Sequence, residues 1–206
     1  MSETKITGFK VISLNDLLEQ IGEDRTKEIL SSFSCPLNFD VESFLKNKAI
    51  IFDKQSISRT KLIFTSYKSK LVLIGYFTLA YKDFSISDKA LRSNLKRRLN
   101  KFGSYDKELK VHKISAPLIA QLGKNFTDDY NKLITGNELL KIACDCVKEV
   151  QLNIGGKLVY IECEDKARLV EFYERNGFTL FSKRQLNKND REIMDGKYLL
   201  QLLRYL

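Results

Sequence analysis

The order of apolar and turn signals along the chain predicts the α/β class, with a mixed sheet and helices on both of its faces. Three observations carry that prediction. Residues 61–67 and 71–81 are rich in Val, Ile, Phe, Tyr and Thr, and only Lys68-Ser69-Lys70 separates them, which is a hairpin signature. From residue 114 onward the pattern runs strand, loop, helix, strand, helix, strand, as parallel crossovers require. Two prolines and no Gly/Ser-rich linker in 206 residues read as one domain.

Residues 8–14 are expected to form the first strand, and Asn15-Asp16 suit the cap of a following helix. Leu17, Leu18 and Ile21 make a short apolar stripe that Gly22 stops. Between Asp40 and about Ile57, the residues Val41, Phe44, Leu45, Ala49 and Phe52 recur at helical spacing. After the hairpin, Leu91, Leu95, Leu99 and Phe102 predict an amphipathic helix that ends near Gly103. Residues 114–122 read as a strand in which Pro117 indicates an edge position or a bulge. A polar loop covers 123–135, and a helix runs from Asn137 to about Asn153 with Leu140, Ala143, Val147 and Val150 facing inward. Residues 157–163 form a strand after Gly155-Gly156. Asp165 is expected to cap a helix bearing Leu169, Phe172 and Tyr173, which Asn176-Gly177 closes. Strands over 178–181 and 198–205 complete the series.

Charge is unevenly placed. The chain carries a formal +9, and residues 89–113 hold nine basic side chains (Lys89, Arg92, Lys96, Arg97, Arg98, Lys101, Lys107, Lys110, Lys113) against Asp106 and Glu108. That segment is therefore +7 and the remainder +2, so a basic helical insertion at about 83–112 interrupts a balanced domain. Aromatics near Lys96-Arg97-Arg98 are few, which argues against base stacking; contacts to phosphates there would be salt-sensitive and independent of sequence.

Several chemistries are excluded by count. No apolar run approaches the roughly 18–20 residues of a membrane helix, and Met1–Lys5 lack the features of a signal peptide. A cytoplasmic protein with no membrane partner is expected, its four cysteines reduced. Cys144 and Cys146 stand two apart on a helix and point away from each other, and His112 is the only histidine. No metal site is therefore expected. A Ser-His-Asp or Cys-His hydrolase has the same shortage, and there is no G-x-S-x-G.

Two places carry a positive signal. Thr135-Gly136-Asn137 opens a helix, whose unpaired amides and partial positive charge suit a phosphate or pyrophosphate. The second is Phe172-Tyr173-Glu174-Arg175-Asn176-Gly177-Phe178, which resembles the helix-to-strand signature Tyr-Glu-Lys/Arg-x-Gly-Phe of the GNAT superfamily of acyl-CoA-dependent N-acetyltransferases. Gly136-Asn137-Glu138-Leu139-Leu140 is similar to the family's Gly-x-x-Leu-Leu helix start, so the resemblance covers about 114–181. Two departures stand in the family's pyrophosphate loop, Gln/Arg-x-x-Gly-x-Gly/Ala. Asn131 replaces Gln/Arg, and Ile134 replaces the first glycine and is expected to narrow the approach.

The resemblance implies a single GNAT-like domain over 1–206 that uses acetyl-CoA as cosubstrate and transfers its acetyl group to an amine by direct attack in a ternary complex. It implies that Leu122, Gly123 and Lys124 present backbone groups to the pantetheine arm. Asn131, Lys132, Leu133, Ile134, Thr135, Gly136 and Asn137 would hold the pyrophosphate. It further implies that Tyr173 protonates the departing thiolate; from the residues alone, Tyr173 reads as a helix-face aromatic that fills core space with its hydroxyl at the rim. Glu162, Glu164 and His112 are weak candidates for a base, and none is assigned. The acceptor class stays open among small molecule, protein and RNA, as does a homodimer. Two alternatives remain: a catalytically degenerate basic binding module of the same fold, and an acetyltransferase toxin acting on charged tRNA.

Overall fold

The computed structural model describes residues 8–87, 99, 101–186 and 197–206. They group into two compact units. One comprises residues 1–80 and 120–143, the other 81–119 and 144–206.

The first unit opens with β1 (Lys10–Ser13), α1 (Leu14–Ile21) and α2 (Glu23–Ser31). Helix α1 begins ahead of the expected Asn15-Asp16 cap, with Ser13 as N-cap, and Asn15 lies inside it bonded to Glu19. Gly22 stops α1 at φ 82°, a conformation that favours glycine, and its amide bonds the Leu18 carbonyl. Helix α2 carries no apolar stripe in sequence; it is held by Thr26, whose hydroxyl bonds the Gly22 carbonyl, and by fully buried Leu30.

The helix expected from Asp40 to Ile57 forms as α3 (Phe39–Ser43), a π-helical turn (Phe44–Lys48) and α4 (Ala49–Lys54). Asn38 caps α3 through the Val41 amide. The buried positions Val41, Leu45, Ala49 and Asp53 recur every four residues. A regular helix would rotate that set by about 40° per step, and the wider π turn takes up part of the lag.

Strands β2 (Arg59–Tyr67) and β3 (Lys70–Ser87) form the expected hairpin, with Lys68 and Ser69 both at positive φ in the turn. Strand β1 pairs antiparallel with β2 on its other side. The core gathers Leu14, Leu30, Phe33, Leu45, Leu62 and Tyr76. Phe33 and Tyr76 meet edge to face at 5.1 Å, and the Tyr76 hydroxyl donates to the Val41 carbonyl at 2.5 Å.

The second unit contains the end of β3, β4 (Gly103–Asp106), most of β5 (Val111–Lys124), β6 (Leu158–Cys163), α6 (Ala167–Arg175), β7 (Thr179–Gln185) and β8 (Tyr198–Tyr205). Its sheet runs β3-β5-β6-β8-β7, with β4 paired to β5. The β5–β6 contact is parallel and the β6–β8 and β8–β7 contacts antiparallel, which makes the sheet mixed. Strand β5 is interior, so the edge position expected from Pro117 is corrected. Residues 111–114 of β5 pair with β4 and the β6 ladder starts at Leu118; Pro117, which has no N–H to donate, falls in the interval between them.

Helix α5 (Gly136–Ile154) buries Leu139, Leu140, Ala143, Cys144 and Val147, while Val150, expected to face inward, is exposed. Of the basic insertion, Lys89, Arg92, Lys96, Arg97 and Arg98, with Leu91 and Leu95, lie outside the described residues. Leu99 is helical and fully buried, and Phe102 meets Tyr205 at 6.1 Å. The insertion is in part β-structure, since β3 continues to Ser87 and β4 forms a hairpin with β5. No helix among the described residues is long and apolar enough to cross a membrane, and no group of three or more metal-ligating side chains occurs among them.

Candidate active site

In the first unit, Leu122, Gly123 and Lys124 end β5. A Cβ on Gly123 would stand 2.4 Å from Val41 Cγ1, and one on Gly75 would stand 3.0 Å from the Gly123 carbonyl oxygen. Gly75 thus lets β3 approach β5 closely, and Gly123 makes room for Val41 of α3 where the strand ends. Asn125 then organises the loop from a fully buried position. Its Nδ2 donates to the Leu73 carbonyl at 2.8 Å, and its Oδ1 accepts from the amides of Ser34 and Thr127 at 3.0 and 3.1 Å. Lys124 donates to the Asn131 carbonyl at 2.9 Å and closes the loop from the other side. Within it, a 3-10 segment (Thr127–Lys132) carries Asp128 and Asp129 at positive φ.

The expected pyrophosphate loop reaches α5 through a capping box. The amide and hydroxyl of Thr135 donate to Glu138 Oε2 at 2.8 and 2.7 Å, and the Glu138 amide donates back to Thr135 Oγ1 at 3.2 Å. The Thr135 hydroxyl, and after it the Thr135 amide, holds the Glu138 carboxyl below the usual glutamate range, so it is charged at neutral pH. A carboxylate of the chain itself therefore sits at the helix start. Its signal in the sequence is the Thr-x-x-Glu pattern at Thr135 and Glu138. Ile134 is buried.

In the second unit, Tyr173 lies on α6, nine per cent exposed, with its ring against Phe172 at 5.0 Å and Phe178 at 5.7 Å. Gly177, at φ 81°, turns the chain out of the helix: the Phe178 amide bonds the Tyr173 carbonyl and the Gly177 amide bonds that of Glu174. The resembling string is thus a helix cap that fixes Tyr173 between two aromatic rings. Burial, then the thiols of Cys163 and Cys144, pushes its phenol well above the ordinary tyrosine range, so it stays protonated. Among the described residues, nothing hydrogen-bonds its hydroxyl. Asp165 does not cap α6; Lys166 holds that position, and Asp165 accepts from the Tyr198 hydroxyl at 2.6 Å.

The weak base candidates are all engaged. Glu162 accepts from Arg184 Nε on one oxygen and from Gln201 Nε2 on the other, both at 2.8 Å. Glu164 pairs with Lys166 at 2.7 Å. His112 is buried against Tyr105, ring centroids 4.8 Å apart. Arg184 and Gln201 carried no signal in sequence, because β7 and β8 bring them to Glu162 only through strand pairing.

No family model and no curated protein matches the sequence. Solved structures do match in fold. AtaT complexed with acetyl-methionyl-tRNAfMet is 17% identical, over 94% of this chain and 94% of that one, with a TM-score of 0.61. A tyrosine-to-phenylalanine mutant of KacT is 16% identical over 94% and 93%, with a TM-score of 0.59. A like mutant of the AtaT toxin, bound to the C-terminus of the antitoxin AtaR and acetyl-CoA, is 14% identical over 96% and 92%, with a TM-score of 0.55. Over nearly its whole length, this chain has the fold of the AtaT and KacT toxins, and that is the GNAT fold to which the string at Tyr173 pointed.

Proposed function

We propose that this chain is a single-domain acyl-CoA-dependent N-acetyltransferase that uses acetyl-CoA as its cosubstrate. The carrying observation is Tyr173: a protonated phenol on a largely buried side chain, fixed by the Gly177 cap between Phe172 and Phe178. It stands in a fold shared with a toxin seen with acetyl-CoA. The amine's lone pair attacks the thioester carbonyl carbon, the C–S bond breaks, and the thiolate takes the Tyr173 proton; the proton that the amine sheds passes through water and restores the phenol. The same desolvation that holds the phenol neutral raises the basicity of a thiolate formed beside it, and that is the condition under which the phenol can donate. Leu122–Lys124 and Asn131–Asn137 are the proposed cofactor-binding residues, with backbone amides as donors, so the substitutions at Asn131 and Ile134 leave the donor type unchanged.

For the acceptor, an amine carried on RNA is the second reading. The +7 segment favours it, and a structural neighbour is seen with acetyl-methionyl-tRNAfMet. The test is direct. Saturating acetyl-CoA should raise the melting temperature by mass action, and thiol release should follow when amines, basic peptides and aminoacyl-tRNA are offered in turn. An unchanged melting temperature refutes the cofactor assignment, and stabilisation without thiol release from any acceptor favours a binding module over an enzyme.

A further inference from the structure

We propose that Asn125 is a positioning residue for acetyl-CoA, its buried carboxamide latching the loop between the two proposed cofactor-binding segments; this deepens the acyltransferase reading and rests on it. Asn125 directly follows Leu122–Lys124 and precedes Asn131–Asn137, so whatever fixes it also fixes how those segments stand to one another. The loop's own backbone does not favour its shape. Asp128 and Asp129, at φ 48° and 63°, are consecutive L-residues in the left-handed region, which L-residues enter at a cost. The conformation is therefore held from outside, and at both ends. At the start of the loop, the Asn125 amide bonds the Ile74 carbonyl at 2.8 Å and the Phe126 amide bonds the Ser34 carbonyl at 2.8 Å. The Thr127 hydroxyl donates to the Ser32 carbonyl at 2.6 Å. At the far end, Lys124 Nζ holds the Asn131 carbonyl.

The Asn125 side chain is the one group that joins all of these pieces. It ties β3, through Leu73, to the chain that follows α2, through Ser34, and to the loop itself, through Thr127. Asparagine is the residue type this junction needs. Leu73 offers it a carbonyl and Ser34 and Thr127 offer amides, so the side chain must donate on one side and accept on the other without carrying charge. A carboxylate would set two acceptors face to face at Leu73, and an apolar residue would give up all three bonds. A loop ordered in the free chain spares the cost of ordering it when the pyrophosphate binds. The carboxamide touches no reacting atom; it acts through the loop. Its loss should therefore raise the dissociation constant and KM for acetyl-CoA and leave turnover at saturation in place.

The experiment titrates acetyl-CoA calorimetrically into four forms of the full chain: wild type, Asn125→Ala, Thr127→Val and Thr78→Val. Thr127→Val removes only the hydroxyl bond to Ser32, from a half-buried position, and decides the matter if the buried alanine variant does not fold. Thr78→Val breaks the buried pair of Thr60 and Thr78 hydroxyls, 3.0 Å apart between β2 and β3, and controls for lost stability alone. The dissociation constant should rise about tenfold in Asn125→Ala and about two- to threefold in Thr127→Val, and stay at the wild-type value in Thr78→Val. Thiol release at saturating acetyl-CoA should stay within about twofold of wild type in all three. Wild-type affinity in Asn125→Ala overturns the proposal, as it does in Thr127→Val where the alanine variant does not fold. A comparable loss in Thr78→Val overturns it too, because affinity would then follow stability. Faster amide hydrogen exchange over residues 126–132 of Asn125→Ala at an unchanged dissociation constant leaves Asn125 a part of the fold alone. A wild type that acetyl-CoA neither binds nor stabilises overturns the acyltransferase reading and the role of Asn125 with it; a wild type that binds no better than Asn125→Ala overturns the role alone.

Discussion

Glu138→Gln is expected to tighten acetyl-CoA binding while weakening the fold slightly. The Glu138 carboxylate occupies the amide and hydroxyl of Thr135 at the start of α5, where the proposed pyrophosphate would bind. A carboxylate about 5 Å from a phosphate charge in water repels it by about 0.8 kcal/mol, so two such charges cost about 1.7 kcal/mol. Screening at about 0.1 M salt reduces that to about 1 kcal/mol. The glutamine keeps an acceptor oxygen for Thr135 and removes the charge, so the dissociation constant should fall about 5- to 15-fold, with the larger gain at low salt. Calorimetric titration of acetyl-CoA at two salt concentrations measures it. The cost to stability should be about 0.5–1 kcal/mol from the weakened capping box. That contribution also has a pH window. The folded Glu138 carboxyl is held below its ordinary range, so its stabilisation is complete at neutral pH and is lost as pH falls through the folded value. The stability difference between wild type and mutant should accordingly vanish in acid. An affinity for acetyl-CoA that is unchanged or weaker in Glu138→Gln refutes the placement of the pyrophosphate at this helix start.

Tyr173→Phe keeps the ring packing and removes only the hydroxyl, so turnover should fall roughly 10²-fold or more at unchanged acetyl-CoA affinity; equal turnover returns Tyr173 to a packing role. Gly123→Ala places a Cβ against Val41 Cγ1 and should destabilise by about 1–3 kcal/mol in equilibrium unfolding. The double mutant with Val41→Ala should cost clearly less than the two single changes together, and strict additivity would mean that the contact is relieved elsewhere. Changing Lys96, Arg97 and Arg98 together to glutamine should raise the KM for an RNA acceptor, flatten its salt dependence and spare acetyl-CoA binding. Identical salt curves for wild type and triple mutant exclude RNA contacts by these side chains.

Local chemistry accounts for what could be read from the sequence alone. The hairpin turn at Lys68-Ser69, the stop at Gly22 and the cap at Gly177 depend on a few adjacent residues, and each formed where its residue types indicate. The string ending in Asn176-Gly177-Phe178 was legible for the same reason: a helix cap is written in consecutive positions. The apolar spacing from Val41 to Phe52 revealed a helix but not its π turn, because that turn serves a core built from β2 and β3 as well. Helix α2 escaped because its anchor, Leu30, gains its meaning only from the packing around it.

Pairing across the sheet decided the rest. Pro117 reads as an edge residue until β4 and β6 are seen to meet β5 on either side of it in sequence. Asn125 is one polar residue in a polar loop, yet its amide joins Leu73, Ser34 and Thr127, which are distant in the chain. The engagement of Glu162 by Arg184 and Gln201 likewise depends on strands brought together from far apart. Sequence determines what each residue can donate, accept or bury with its near neighbours. Charge balance and hydrogen-bond satisfaction are sums over whatever surrounds a group in space, and only the tertiary structure sets that company.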